Sequence, residues 1–178
     1  EGKSTNVFQI ESNMFKGLLK LIKPVDINEI TAIISLGRPG PLQAGMPEDF
    51  AAAKFDPKER HFYHPSIDHL LDETHGSMIY QEQIMAIARE MSGYTMGGAD
   101  KLRKAMGKKK KEVMEAETSK FVEGAVKNNV PQELAEDIFD NIEKFSGYGF
   151  NKSHAISYAL LCYKTAFLRR HYPTEYMA

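Results

Sequence analysis

Asn151, Lys152, Ser153 and His154 follow a Gly-Tyr-Gly turn (147–149) and precede a long apolar run, so the most donor-rich tetrapeptide of the chain sits at the mouth of a helix. Gly147 and Gly149 permit positive φ and close backbone approach. Ser153 is placed to cap the helix that the apolar run predicts. The first turn of a helix leaves main-chain N–H groups unpaired and carries positive partial charge, which suits an anion. Lys152 adds a mobile cation and His154 a nearby donor, and together these are what a polyphosphate requires. The ordinary alternative is a cap whose lysine points to water. The anion reading stands on those amides and Lys152 not being committed to acidic neighbours. The segment is not a Walker A loop, because Asn151 stands where that motif has Gly and the preceding segment reads as helix. Tyr148 and Phe150 flank the turn; either can stack on a base or sugar, but Phe150 reads as core and Tyr148 stays undecided.

A second basic zone lies in "ADKLRKAMGKKKKE". Helical spacing turns Leu102 and Met106 inward and Lys101, Arg103 and Lys104 outward, and Gly107 is expected to break the helix before the lysine run. Arg can grip a phosphate bidentately and Lys acts as a point charge, so Arg103, Lys104, Lys108 and Lys109 suit a nucleotide or a phosphate backbone. The alternative is a solubilising surface, which Lys110 and Lys111 fit better. Arg38, between Gly37 and Pro39, looks positioned, because rigid flanks reduce the entropy lost when a side chain is held. A salt bridge would explain it equally well. Gln81 and Gln83 open an amphipathic helix and cannot both face the core; Gln81 is expected to satisfy buried backbone groups. The six histidines are scattered, and no cysteine or carboxylate pattern completes a metal site around "HFYH". No Asp-x-Asp pair, glycine-framed serine or triad set is present, so the residues suit binding a polyanion better than bond-making.

These groups need a scaffold, and the 178 residues are enough to bury a core. Composition is 42% hydrophobic and 26% charged, as in an average globular protein. No apolar run approaches the ~20 residues of a membrane helix. The single cysteine, Cys162, lies in an apolar stretch, which excludes a disulfide framework and points to a cytoplasmic setting. The chain opens on Glu1 and lacks a polar tail, and it is expected to be a piece of something longer. A net charge of −1 conceals an asymmetry: residues 99–111 carry +6, residues 112–143 carry −7 and residues 145–178 carry +3. Two basic zones flanking an acidic one fit local contact with an anion rather than a uniformly basic coat.

Period-3.6 patterning predicts helices over "HPSIDHLLDETHG", "IYQEQIMAIAREMSG" ended by Gly93, "ADKLRKAMG", "KEVMEAETSKFVEGAVKNN" and "PQELAEDIFDNIEKF" beginning at Pro131. The last helix, about Ala155 to His171, is apolar nearly all round and is expected to be the most buried element. Earlier, "NVFQIES" reads as a strand or extended lead-in, while "MFKGLLKLIKP" and "INEITAIISL" read as short helices. "GRPGPLQAGMP" is predicted to be a loop, with mostly connection onward to Tyr63. The expected fold is mainly α: an irregular multi-helix domain with a loop-rich N-terminal third.

Four stretches, "VFQIES", "RPGPLQAGM", "ETHGSMIYQEQIMAIAREMSGYTMGGADKLRKAMGKKK" and "FSGYGFNKSHAISYALLCYKTAFLRRHYPTEYMA", resemble in order the alpha subunit of the bacterial replicative DNA polymerase III, a C-family polymerase. The resemblance runs over residues 1–178 and is to the fingers domain, in the short "RPGP"-bearing form of the subunit. Gly37 departs from the bulky residue usual there, and His75 from the usual tyrosine. The resemblance implies template-directed nucleotidyl transfer, in which a primer 3′-hydroxyl attacks the α-phosphate of a dNTP. It implies Mg2+ held by palm aspartates upstream of Glu1, hence no cofactor in this piece and no polymerase activity from it alone. It implies template–primer DNA and dNTP as partners and, for the whole enzyme, the sliding clamp, proofreading exonuclease and clamp loader. Lys152, Ser153, His154, Asn151, Arg38, Arg103 and Tyr148 are then expected around the triphosphate, and Lys104, Lys108 and Lys109 along the DNA. Two other readings remain open: a stand-alone helical nucleic-acid-binding module and a helical adaptor whose charged zones meet proteins.

Overall fold

The computed structural model describes residues 2–108 and 111–178; for residues 108, 111–113 and 146 it describes the backbone alone. Among the described residues every regular element is helical. In order they are α1 (Asn13–Ile22), α2 (Ile27–Leu36), α3 (Pro39–Gln43), α4 (Met46–Phe55), a 3-10 turn (Pro57–Glu59) and a 3-10 segment (Asp68–Thr74). There follow α5 (Gln81–Ser92), α6 (Met96–Lys108), α7 (Lys111–Lys127), α8 (Gln132–Ser146), α9 (Lys152–His171) and α10 (Pro173–Met177). The chain forms two compact units, Glu1–Arg60 with Glu73–His75 and Phe150–Ala178, and His61–Asp72 with Gly76–Gly149.

In the first unit α2 packs against α9 and α4, and α1 against both α2 and α4. Local chemistry sets these helices. Ser12 and Asp26 cap α1 and α2 by accepting from the amides of Phe15 and Glu29. Ile33 and Leu36 are wholly inaccessible, and seven of the ten residues of α2 are buried, which makes α2 the most enclosed helix rather than α9. α9 buries only Ala155, Ala159 and Cys162. Hydrophobicity all round measures how much surface is apolar, not how many neighbours a helix has, and this corrects the expectation for the last helix.

The N-terminal third is more helical than its prolines suggest. Pro39 and Pro47 occupy first-turn positions of α3 and α4, where a missing N–H costs nothing, and Gly45 at φ 72° makes the corner between them. The predicted loop is therefore two helices, and "NVFQIES" is a run of turns rather than a strand. "HPSIDHLLDETHG" closes as 3-10 rather than α.

In the second unit α5 packs on α6 and α7, and α7 and α8 pair along their lengths. The apolar positions that recur at helical spacing are inside: Ile84, Ile87 and Met91 of α5 with Tyr80 just before it, Leu102 and Met106 of α6, Met114, Phe121 and Ala125 of α7, and Ile138, Ile142 and Phe145 of α8. Leu134, on the same stripe, is only half-buried. Phe121 and Phe139 meet at 5.2 Å between centroids. Gly93 ends α5 in the left-handed region at φ 68°, as its position predicts. Gly107 does not break α6, which continues through it. Pro131 precedes α8 as its N-cap rather than opening it.

Candidate nucleotide-binding site

Asn151, not Ser153, caps α9: its side-chain oxygen accepts from the His154 amide at 2.8 Å, and the helix begins at Lys152. An Asn at the cap places its amide oxygen three residues back from an N–H, the same geometry Ser offers, so the sequence pattern could not separate the two positions. Neither glycine of the turn uses positive φ; Gly147 lies at φ −72°. Gly149 is needed for closeness instead. A Cβ there would stand 2.8 Å from Phe145 Cε1 and 3.3 Å from Gln81 Cγ.

Lys152 is not a lone cation. Its ammonium donates to both carboxylate oxygens of Glu73, at 2.6 and 2.7 Å, and each side chain is about one-third exposed. With one cap amide taken by Asn151 and the lysine paired to an acid, the availability that the anion reading asked for is met only in part. His154 and Ser153 are exposed. The His154 ring meets Phe150 edge-on at 5.6 Å and lies tilted to Tyr158 at 4.3 Å between centroids. Arg38 lies in the same unit, its guanidinium 4.3 Å from the centre of the Phe150 ring, and its Nε donates to the Ser35 carbonyl at 2.9 Å. Burial lowers its pKa, and the group stays charged throughout the working range. Gly37, which departs from the bulky residue usual there, has a local cause: a Cβ would lie 2.4 Å from Phe15 Cε1.

The other predicted residues belong to the second unit. Arg103 donates to Asp100 Oδ1 from Nε at 3.0 Å and from Nη2 at 2.9 Å, and reaches Gln81 Oε1 at 3.4 Å. Lys104 bridges to the other oxygen of the same aspartate at 2.7 Å. These two cations hold the Asp100 carboxyl below its usual range. Gln81 in turn donates to the Gly149 carbonyl at 3.3 Å, as its position suggests, so Arg103, Gln81 and the glycine turn form one chain of contacts. Gln83 faces inward and accepts from the amides of Ile79 and Tyr80, both at 2.9 Å. Tyr148 is half-buried. Lys109 lies outside the described residues, as does the side chain of Lys108. Sequence reasoning missed Glu73 and Asp100 as partners of the basic residues. Asp100 was legible, three and four residues before Arg103 and Lys104; Glu73, far from Lys152 in sequence, was not.

Residues 1–129 match the family described as the bacterial DNA polymerase III alpha subunit finger domain. The chain belongs to that family. It is 50% identical over 184 residues to the DNA polymerase III subunit alpha of Vibrio cholerae, and 49% identical over 181 residues to that of Escherichia coli K12. Against the subunit of Pseudomonas aeruginosa the identity is 46% over 183 residues. These alignments take in 99–100% of this chain and 16% of each relative's length. Among the described residues of this finger domain, no group of three or more His, Cys, Asp or Glu side chains is placed to hold a metal. No described helix is long and apolar enough to cross a membrane.

Proposed function

We propose that this finger domain serves template-directed DNA synthesis by holding the triphosphate of an incoming dNTP and meeting template–primer DNA. The observation that carries the reading is Lys152 at the first position of the 20-residue helix α9. There a cation and a helix N-terminus reinforce one another toward a phosphate. Lys152 is paired with Glu73, so on this reading a phosphate takes the place of that carboxylate at the ammonium. Arg38, in the same unit as Lys152, supplies further positive charge; in the second unit Arg103 offers a phosphate a bidentate grip and Lys104 suits the DNA backbone.

The domain's part in the reaction is positioning and charge neutralisation as pyrophosphate departs. The Mg2+ that the family relationship implies would activate the primer 3′-hydroxyl. The described residues offer no set of ligands for it. The 178 residues alone are accordingly expected not to extend a primer. The clamp, exonuclease and clamp-loader partners and a cytoplasmic setting belong to the same proposal for the whole subunit.

Replacing Lys152 with Ala in the full-length polymerase is expected to lower kcat/KM for dNTP by on the order of 10²–10³, judged from single-donor deletions in other enzymes. Unchanged kinetics would overturn the triphosphate role. Glu73→Gln is expected to lower the KM for dNTP, since it removes the internal competitor for the ammonium.

A further inference from the structure

We propose that the outward face of α9 is a seam between polypeptide surfaces, covered in the full-length subunit by the part of the alpha-subunit chain that lies outside these 178 residues. The helix is inverted relative to an ordinary amphipathic one. It turns Ala155, Ala159 and Cys162 toward the core, and it leaves Leu160, Leu161, Tyr163, Phe167 and Leu168 between 43% and 57% exposed. Large apolar side chains facing outward in one contiguous set mark a surface that is incomplete by itself.

The patch is already ordered. Phe167 packs against Tyr163 at 6.5 Å, His171 at 4.5 Å and Tyr172 at 6.4 Å between ring centres. Tyr163, Lys164, Phe167 and Leu168 line an open groove of about 380 Å³. Tyr172, 52% exposed, and Met177, 61% exposed, carry the apolar surface on into α10.

The chemistry selects the occupant. Lysine and aromatic rings side by side also suit a single nucleic-acid strand. Leu160, Leu161, Leu168 and Met177 do not stack on bases, however, and their exposed carbons are satisfied only by another apolar surface. The relatives are about six times longer than this chain, each alignment taking in 16% of the relative. A tethered partner of that length is present at high effective concentration and reaches the patch before any free protein does. This inference stands apart from the triphosphate reading, because none of its residues is among those assigned to the nucleotide.

The test is photo-crosslinking in the full-length subunit, with p-benzoylphenylalanine in place of Tyr163 or, separately, of Phe167. Both replacements keep a large aromatic side chain, and Lys58, exposed on the same unit, serves as the control position. The expected result is an adduct within one polypeptide, to a peptide outside residues 1–178, in a yield that does not change with protein concentration and is absent at Lys58. A concentration-dependent adduct to a second copy would overturn the proposal, as would an adduct to primer–template DNA or no adduct at all. A second readout is thermal melting of the Leu160→Asp, Phe167→Asp double variant. The full-length subunit is expected to lose Tm, whereas Lys58→Asp at the control position leaves it unchanged; an unchanged Tm in the double variant would also overturn the proposal.

Discussion

Glu29 is 4% exposed, yet it carries a charge that three groups answer. Lys54 meets it at 2.7 Å, the Val25 amide at 2.7 Å and His75 Nε2 at 3.2 Å. Lys54 also donates to the carbonyls of Ile22 and Lys23, so one ammonium ties the end of α1 to α2 and α4. Removing one member of such a set strands a buried charge, and Glu29→Ala is expected to cost about 3–5 kcal/mol in chemical denaturation. His75, the departure from the usual tyrosine, thus has a structural task, and its ring also packs edge-on to Phe50 at 5.0 Å. None of this was legible in the sequence, since Glu29, Lys54 and His75 are far apart and a lone buried acid has no periodic signature. Cys162, which the sequence places in an apolar stretch, is a buried free thiol. Its Sγ donates to the Phe8 carbonyl at 3.0 Å, and burial pushes its pKa up to about 11. The folded state thus holds the proton that the unfolded chain releases at the ordinary thiol value. The thiol's contribution to stability is complete below that value and is lost as pH rises through about 11. Denaturation midpoints at pH 7 and pH 10 should therefore converge in part in Cys162→Ala relative to the parent.

At the scale of elements, helices whose apolar residues recur every three or four positions were readable, and α5, α6, α7 and α8 lie where their stripes place them. The predicted loop over 37–47 fails because its prolines read as breakers, whereas in α3 and α4 they stand in the first turn and start the helix. Burial of α9 failed because patterning reports chemistry and not the number of packed neighbours. The site was legible as residue types and not as pairings, since Asn151 rather than Ser153 caps the helix and Glu73 holds Lys152. Asn151→Ala is expected to lower stability by about 1 kcal/mol, the usual cost of a lost cap. A reversible thermal melt reads it. Gly124 of α7 marks a tighter element contact, since an added Cβ would lie 2.2 Å from the Ser92 carbonyl oxygen. That neighbour is backbone and cannot swing aside. Gly124→Ala is therefore expected to cost about 1–3 kcal/mol, the range of an overpacked core, with α5 and α7 losing hydrogen-exchange protection together.

At the scale of the molecule, the near-neutral total charge of −1 bears on what the domain does alone. A stand-alone nucleic-acid module would bind DNA with a steep dependence on salt. Here Arg103 and Lys104 are already partnered by Asp100, and the acidic α7 and α8 share their unit. The isolated chain is expected to hold DNA no tighter than the non-specific range, about 10⁻⁴ M at physiological salt, by fluorescence anisotropy. Nanomolar binding that collapses with added salt would favour the module instead. Membership in the family was readable from long motifs, because segments of ten or more residues in order are far more specific than any local pattern. The inverted helix α9 has a final consequence for how such chains can vary. Positions 155, 159 and 162 are the buried ones of the helix and admit only residues of alanine's or cysteine's bulk. Positions 160, 163, 167 and 168 can exchange one greasy residue for another without disturbing this domain. Homologous sequences should then keep small residues along the first edge, and along the second should change size only together with the surface that covers it.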